Sequence, residues 1–282
     1  MPMPTPAPVH LKNPWLSVDI DPARGGAVTS LRALNREWLV AVAPRRAAVT
    51  ATSSFIADPP SGWDEMAPTI VACTVDGVAY PDHGDAWRTA WIPDGDDGLV
   101  HRSAFGYTLR RRAELVGRAL VLRYQLTSDR PRPVLWAAHP LVNAPDGTRV
   151  TLEDYDGQVL DVFAPGAPAI DWDPSLADPA GVPVGGYRKL VAPPQARIST
   201  ARIVHPDGAW LRLAWDVSVA PHLAVYVERQ AFSRQPCVAV EPMTGWYDSL
   251  SVAVDNGQVL TVGLEAPASW SLTVEVGPAD RA

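Results

Sequence analysis

Apolar and polar positions alternate most regularly between Glu114 and Leu126. Leu120, Leu122, Tyr124 and Leu126 are separated by Val121, Arg123 and Gln125. This period of two is that of a strand with one buried face. The preceding run, Tyr107 to Leu115, has the same character, and Val116-Gly117-Arg118 reads as the turn between the two. Trp270, Leu272, Val274 and Val276 predict a last strand with a clean alternation. Trp210 to Val217 and Leu223 to Val227 predict a further pair, broken by Pro221. Leu250, Val252 and Val254 run into Asp255-Asn256-Gly257, with Val259 to Leu264 beyond. Asn-Gly between alternating apolar runs is a strong hairpin signal.

The 29 prolines, scattered along 282 residues, argue against long helices. Phe163 to Pro194 holds seven of them around Gly185-Gly186 and reads as a long irregular segment at the rim of a cleft. There is no repeat of fixed period and no linker. Many short strands and few helices predict an all-β protein, a large antiparallel β-sandwich. Residues 1–10 read as a Pro-rich, disordered lead-in and 11–278 as one domain.

Composition narrows the partners. The net charge is −7, and the longest basic run is Arg110-Arg111-Arg112, inside an alternating strand where it reads as a solvated face. Nucleic acid is therefore not an expected partner. No apolar run reaches the length of a membrane span, so no membrane partner is expected either. Cys73 and Cys237 each lie in an apolar run, as free thiols do, which together with the lack of a leader pattern predicts a cytoplasmic protein. The chain carries 11 tryptophans. Part of them must be core, but an indole can also stack on the apolar face of a pyranose.

Four short stretches combine residue types suited to chemistry. Gly62-Trp63-Asp64-Glu65-Met66-Ala67-Pro68-Thr69-Ile70 joins an aromatic residue and two carboxylates, and on its own reads equally as a capped turn. Tyr80-Pro81-Asp82-His83-Gly84-Asp85-Ala86-Trp87-Arg88 puts a histidine in a turn, facing either solvent or a cleft. Trp136-Ala137-Ala138-His139-Pro140 puts another at the end of an apolar strand. Val238-Ala239-Val240-Glu241-Pro242-Met243-Thr244-Gly245 ends an apolar strand with a carboxylate. A buried carboxylate is costly without a partner, and its desolvation raises its pKa and makes it a better base.

In this order the four stretches resemble the aldose 1-epimerase (galactose mutarotase-like) family. Pro81-Asp82-His83-Gly84 is similar to its first histidine motif. Trp136 to Pro140 is similar to its second, and Glu241-Pro242-Met243-Thr244-Gly245 with Asp248-Ser249-Leu250 to its C-terminal Glu-Pro stretch. Gly62 to Ile70 resembles a segment of one mutarotase-like branch, and the resemblance spans about Val18 to Val276. It implies a twisted supersandwich and a cofactor-free, metal-free interconversion of sugar anomers. Glu241 is then the base at the anomeric hydroxyl and His139, as an imidazolium, the acid at the ring oxygen. His83 is the second histidine, helping to polarise that oxygen.

The chain departs from the family pattern in several places. The early Asn-Arg signature is missing, and Arg45-Arg46 lies in the comparable region without its neighbours. Asp85 stands where the best-known branch has Phe, and Ala67 where an aromatic is common. Asp216 is the candidate for the family's hydroxyl-gripping Asp. Trp63 and Trp87 are candidates for stacking on the sugar. Arg88 is either paired with Asp85 at the surface or, with Arg45, a grip for an anionic hexose.

The expected partner is thus a small sugar, a hexose or modified hexose. A silent sugar-binding module is the alternative. A polysaccharide-cleaving enzyme would need Asp64 or Glu65 to face Glu241 as a second carboxylate. A Gly-x-Ser-x-Gly elbow, paired metal-ligand histidines and a phosphate loop are all missing.

Overall fold

A computed structural model describes residues 7–42, 54–57, 59–95 and 98–280. Among them two antiparallel sheets face each other. The larger runs, strand by strand, Val9–Lys12, Ser17–Asp21, Ala27–Ala33, Trp63–Met66, Ala137–Pro140, Cys237–Met243, His222–Glu228, Tyr187–Val191, Gln158–Asp161 and Ala169–Asp171. The second is built around Trp210–Trp215, Ala268–Gly277, Ala119–Ser128 and Tyr107–Val116. This is an all-β sandwich, as the alternation predicts. Most of the lead-in lies outside the described residues, but Val9 and His10 already belong to the first strand.

The strongest sequence pattern gives the most regular element. Tyr107–Val116 and Ala119–Ser128 pair in unbroken register from Tyr107 opposite Ser128 to Val116 opposite Ala119. Gly117, at φ +58°, turns the chain between them. Leu120, Leu122, Tyr124 and Leu126 face inward. They meet Leu109 of the same sheet and Val238 and Val240 of the other in one apolar core.

Three expectations change. Trp210–Trp215 and His222–Glu228 are both strands, but they lie in different sheets, and Pro221 sits in the crossing between them. Leu250–Asp255 is a helix instead of half a hairpin. Leu250 and Ala253, three apart, are its buried positions. The Leu250 N–H is taken by Thr69 Oγ1 at 3.0 Å, and Gly257 at φ +65° ends the helix. Asn-Gly therefore acts here as a helix stop, the other use of a residue that tolerates positive φ. The stretch from Phe163 to Pro194 is not structureless either. It contains two short 3-10 turns and the strand Tyr187–Val191, which pairs with His222–Glu228 well inside the large sheet.

The arginine triplet is also corrected at its centre. Arg110 and Arg112 face outward, but Arg111 is 2% exposed between the sheets. Its Nη1 lies 2.7 Å from Glu65 Oε1. Its second nitrogen donates to the Gly26 carbonyl, and its guanidinium stacks over Trp91. Glu65 also accepts from Tyr124 at 2.8 Å and from Trp136 Nε1 at 2.8 Å. Both Glu65 oxygens and both terminal nitrogens of Arg111 are thus met, the condition under which buried charge is tolerated. Arg111→Ala should strip Glu65 of its counter-charge and cost about 3–5 kcal/mol. Arg112→Ala, at an exposed position, should stay within about 0.5 kcal/mol. Urea unfolding of the two variants beside wild type makes the comparison, and equal losses would contradict the assigned role of Arg111.

Candidate active site

Strand alternation sorts the side chains of the large sheet onto two faces. On Cys237–Met243, Val238 and Val240 enter the inter-sheet core, while Ala239 and Glu241 point to the outer face. On Ala137–Pro140, Ala138 is core and His139 faces outward. On Tyr187–Val191, Leu190 is core, and Tyr187 and Lys189 face outward. These outward groups floor a cleft of about 300 Å³. Phe55, the Asp82-His83 turn, Ile70, Asp248 and Phe232 wall it. A larger open depression of about 690 Å³ lies elsewhere, beside Trp15 and Leu34, and contains no histidine.

The cleft brings together three of the histidine and glutamate positions marked in the sequence. His139 Nε2 lies 3.8 Å from Glu241 Oε1. The rings of His83 and His139 are 6.0 Å apart. Phe55 stacks on His83 at 4.0 Å and meets His139 edge-on at 5.5 Å. Glu241 is 1% exposed, and among the described residues no hydrogen-bond donor meets its Oε1. The same holds for His139 Nδ1.

Lys189 and Asp248 complete the floor. Lys189 Nζ lies 2.8 Å from Glu241 Oε2 and 2.9 Å from Asp248 Oδ1. Sequence reasoning passed over Lys189, because a Lys in the Pro-rich stretch carries no local mark of burial. Its alternation with Leu190 inside a short apolar run is the only trace. Asp248 is placed by the first motif, since its carbonyl accepts the Ile70 and Val71 amides at 3.1 and 2.7 Å.

These contacts set the protonation states. Burial disfavours the charged form of Lys189, but Asp248 and Glu241 outweigh it and hold the ammonium charged. Burial pushes the Glu241 carboxyl up; Lys189 pulls it back, and Asp248 adds to the rise. His139 is held well below the ordinary imidazole range by burial, then by His83 and Lys189. It is therefore a neutral imidazole in the free protein at neutral pH, not the imidazolium expected from the sequence.

The His83 turn is built with care. His83 at φ +57° and Gly84 at φ +66° are both left-handed, and a Cβ on Gly84 would stand 1.7 Å from the Ala67 carbonyl. Only glycine fits there. His83 N–H donates to Ile70 O at 2.6 Å, and Asp85 N–H to Ala67 O at 2.8 Å. The Asp85 carboxylate runs to the second sheet, accepting from Tyr107 at 2.7 Å and Ser103 at 2.8 Å. Burial raises this carboxyl, yet His101, Tyr107 and Ser103 together bring it below its usual value. His83 Nδ1 approaches Asp82 Oδ2 to 2.9 Å, off the line of a hydrogen bond.

The remaining candidates fall elsewhere. Trp63 is 1% exposed in the inter-sheet core. Trp87 is buried behind Phe55, which it meets edge-on at 5.0 Å. Neither lines the cleft: Trp63 lies on the core side of its strand, and Trp87, in a turn, is covered where it meets Phe55. Arg88 is buried instead of lying at the surface, and its Nη2 donates to the Asp82 carbonyl at 2.9 Å, bracing the His83 turn. Asp216 is exposed and closes a turn by accepting from Ser218 N at 2.9 Å. Arg45 and Arg46 lie outside the described residues. Glu65 points into the core, away from Glu241, and so is not a second cleft carboxylate.

No protein-family model matches the sequence, nor does any curated protein match it significantly. Solved structures do match across nearly the whole chain. The Slr1438 protein of Synechocystis superposes with a TM-score of 0.72 at 17% identity, covering 97% of this chain and 96% of its own. A candidate aldose 1-epimerase from Escherichia coli gives 0.68 at 18%, covering 96% and 99%. A galactose mutarotase-like protein from Lactobacillus casei gives 0.66 at 18%, covering 96% and 100%. At such identities the likeness is one of architecture, and the chain has the galactose mutarotase-like β-sandwich fold.

Proposed function

We propose that this protein is an aldose 1-epimerase, interconverting the α and β anomers of a hexose or modified hexose. The observation that carries the reading is Glu241. It is a fully buried carboxylate with unspent hydrogen-bonding capacity, opening into a cleft 3.8 Å from an imidazole nitrogen. A carboxyl raised toward neutrality is a suitable base for the anomeric hydroxyl. Lys189 holds Oε2, so Oε1 is the oxygen left for substrate.

In the proposed reaction Glu241 takes the O1 proton while the ring oxygen receives a proton from the His83–His139 pair. The C1–O5 bond breaks to give the open-chain aldehyde. Rotation about C1–C2 and the reverse transfers close the other anomer, so no proton is gained or lost overall. His139, neutral in the free protein, first takes up a proton, for which the partly exposed His83 (18%) is the route from solvent. As the imidazolium opposite Glu241 it delivers that proton to the ring oxygen and recovers it on ring closure. Lys189 is an ion-paired ammonium and so is unsuited to attack the aldehyde. Among the described residues, Asp82, Glu228, Glu241 and Asp248 outnumber it around the cleft. That balance favours a neutral sugar over an anionic one.

Anomer exchange followed by NMR tests the proposal. Glu241→Gln and His139→Asn should each slow exchange by about 100-fold or more while remaining folded. Variants as fast as wild type would refute the residue roles. A wild type that binds sugars without accelerating exchange would leave the non-catalytic binding module in its place.

Lys189 gives a second check. Its charge lowers both Glu241 and His139, so Lys189→Met should move the whole pH profile of kcat/KM to higher pH. Lys189→Arg, which keeps the charge, should leave the profile near that of wild type. A profile unmoved in the Met variant would exclude this electrostatic role.

A further inference from the structure

The cleft continues past the catalytic groups onto aromatic rings that the anomer chemistry does not use. Phe163 is 47% exposed and Tyr187 45% exposed, although both are large and apolar enough to favour burial. They are not isolated. The Tyr187 ring lies 5.3 Å from Phe163, nearly perpendicular, and 5.1 Å from Phe232. Tyr226 stands behind it at 6.5 Å. All four side chains line the same cavity as His139 and Glu241.

Their placement is fixed by the sheet. Tyr187 and Lys189 are two residues apart on one strand and share its outer face, so their Cα atoms are separated by about 6.6 Å. The aromatic group therefore begins one strand repeat from the ammonium that holds Glu241. The Phe232 ring is held there by its own backbone. Glu228, buried beneath it, accepts the Phe232 and Ser233 amides at 2.8 Å each. The strand end before Phe163 is tied by the Asp161–Arg188 pair at 3.1 Å.

We infer that Phe163, Tyr187 and Phe232 form a subsite for a second sugar ring, so that the favoured substrate is a reducing disaccharide. This rests on the mutarotase reading of the neighbouring cleft. The free anomeric carbon must lie at Glu241, so a substituent on the far side of that ring projects away from the catalytic groups. A pyranose offers a face of C–H groups, and exposed aromatic rings are the surface that such a face covers best. The rings are continuous with the cleft, and among the described residues the cation that lines it is Lys189, already ion-paired with Glu241 and Asp248, which suits a neutral saccharide.

The test compares kcat/KM for anomer exchange on glucose with that on cellobiose, maltose and melibiose, in wild type, Phe163→Ala and Tyr187→Ala. At least one disaccharide should exceed glucose by about five- to tenfold in wild type. The ratio should fall toward one in both variants, through KM more than kcat. A wild-type ratio near one, or a ratio unchanged in both variants, overturns the subsite while leaving the mutarotase intact. If no sugar is turned over, calorimetric binding of the same sugars decides. Tighter disaccharide binding that is lost in the variants supports the subsite and rejects the mutarotase. Equal binding, or none, rejects the subsite.

Discussion

The ammonium of Lys189, set between Glu241 and Asp248, allows a group of charges to sit on a buried sheet face. Two carboxylates brought out of water beside each other repel, and one of them would take up a proton. The ammonium between them offsets that repulsion. Glu241 keeps an ionisable oxygen directed at the cleft. The opposite face of the sheet meets the same constraint with different residues. There Glu65 is answered by Arg111 from the facing sheet, and Tyr124 and Trp136 supply the remaining donors. One couple joins the two sheets, and the other lines the cleft. Strand alternation keeps them apart, for Glu65 lies opposite Ala138 and Asp64 opposite His139 in the pairing.

The same division of labour explains why the His83 turn is so heavily braced. A left-handed histidine is a conformation that its surroundings must enforce. Asp85 anchors the turn to the second sheet, Arg88 holds the Asp82 carbonyl, and Gly84 lets it lie directly against Ala67. Asp85 in place of an aromatic is thus a polar anchor serving the position of His83. Arg88, which the sequence offers either as a surface partner of Asp85 or as an anion grip, is buried and donates from Nη2 to the Asp82 carbonyl.

Much of the architecture was legible because alternation is a local signal. The strands Tyr107–Val116, Ala119–Ser128 and Ala268–Gly277 follow directly from it. Leu250–Asp255 misled because six residues with apolar positions at every second place also satisfy a spacing of three. What decided the matter was Thr69, which caps the helix from 181 residues away. In the cleft, His83, His139 and Glu241 were legible from their motifs. Lys189 was not, since burial of a lysine depends on which strands become neighbours. The tryptophans misled for a related reason. Trp63 and Trp87 are near the motifs in sequence yet both are buried, Trp63 in the inter-sheet core, and the exposed rings at the cleft are those of Phe163 and Tyr187.

The pairing of the strands that carry His139 and Glu241 has a consequence for how the molecule forms. The chain must close a loop of about a hundred residues before these strands can meet, and a second long loop before Lys189 joins them. Loop closure of this kind costs entropy before any contact repays it, so sheets with such connectivity assemble late and slowly. No fragment ending before Cys237 contains the cleft, even in part-folded form. Appearance of the cleft is therefore tied to completion of the large sheet, and a nascent chain carries its histidines unmatched until the strand Cys237–Met243 emerges.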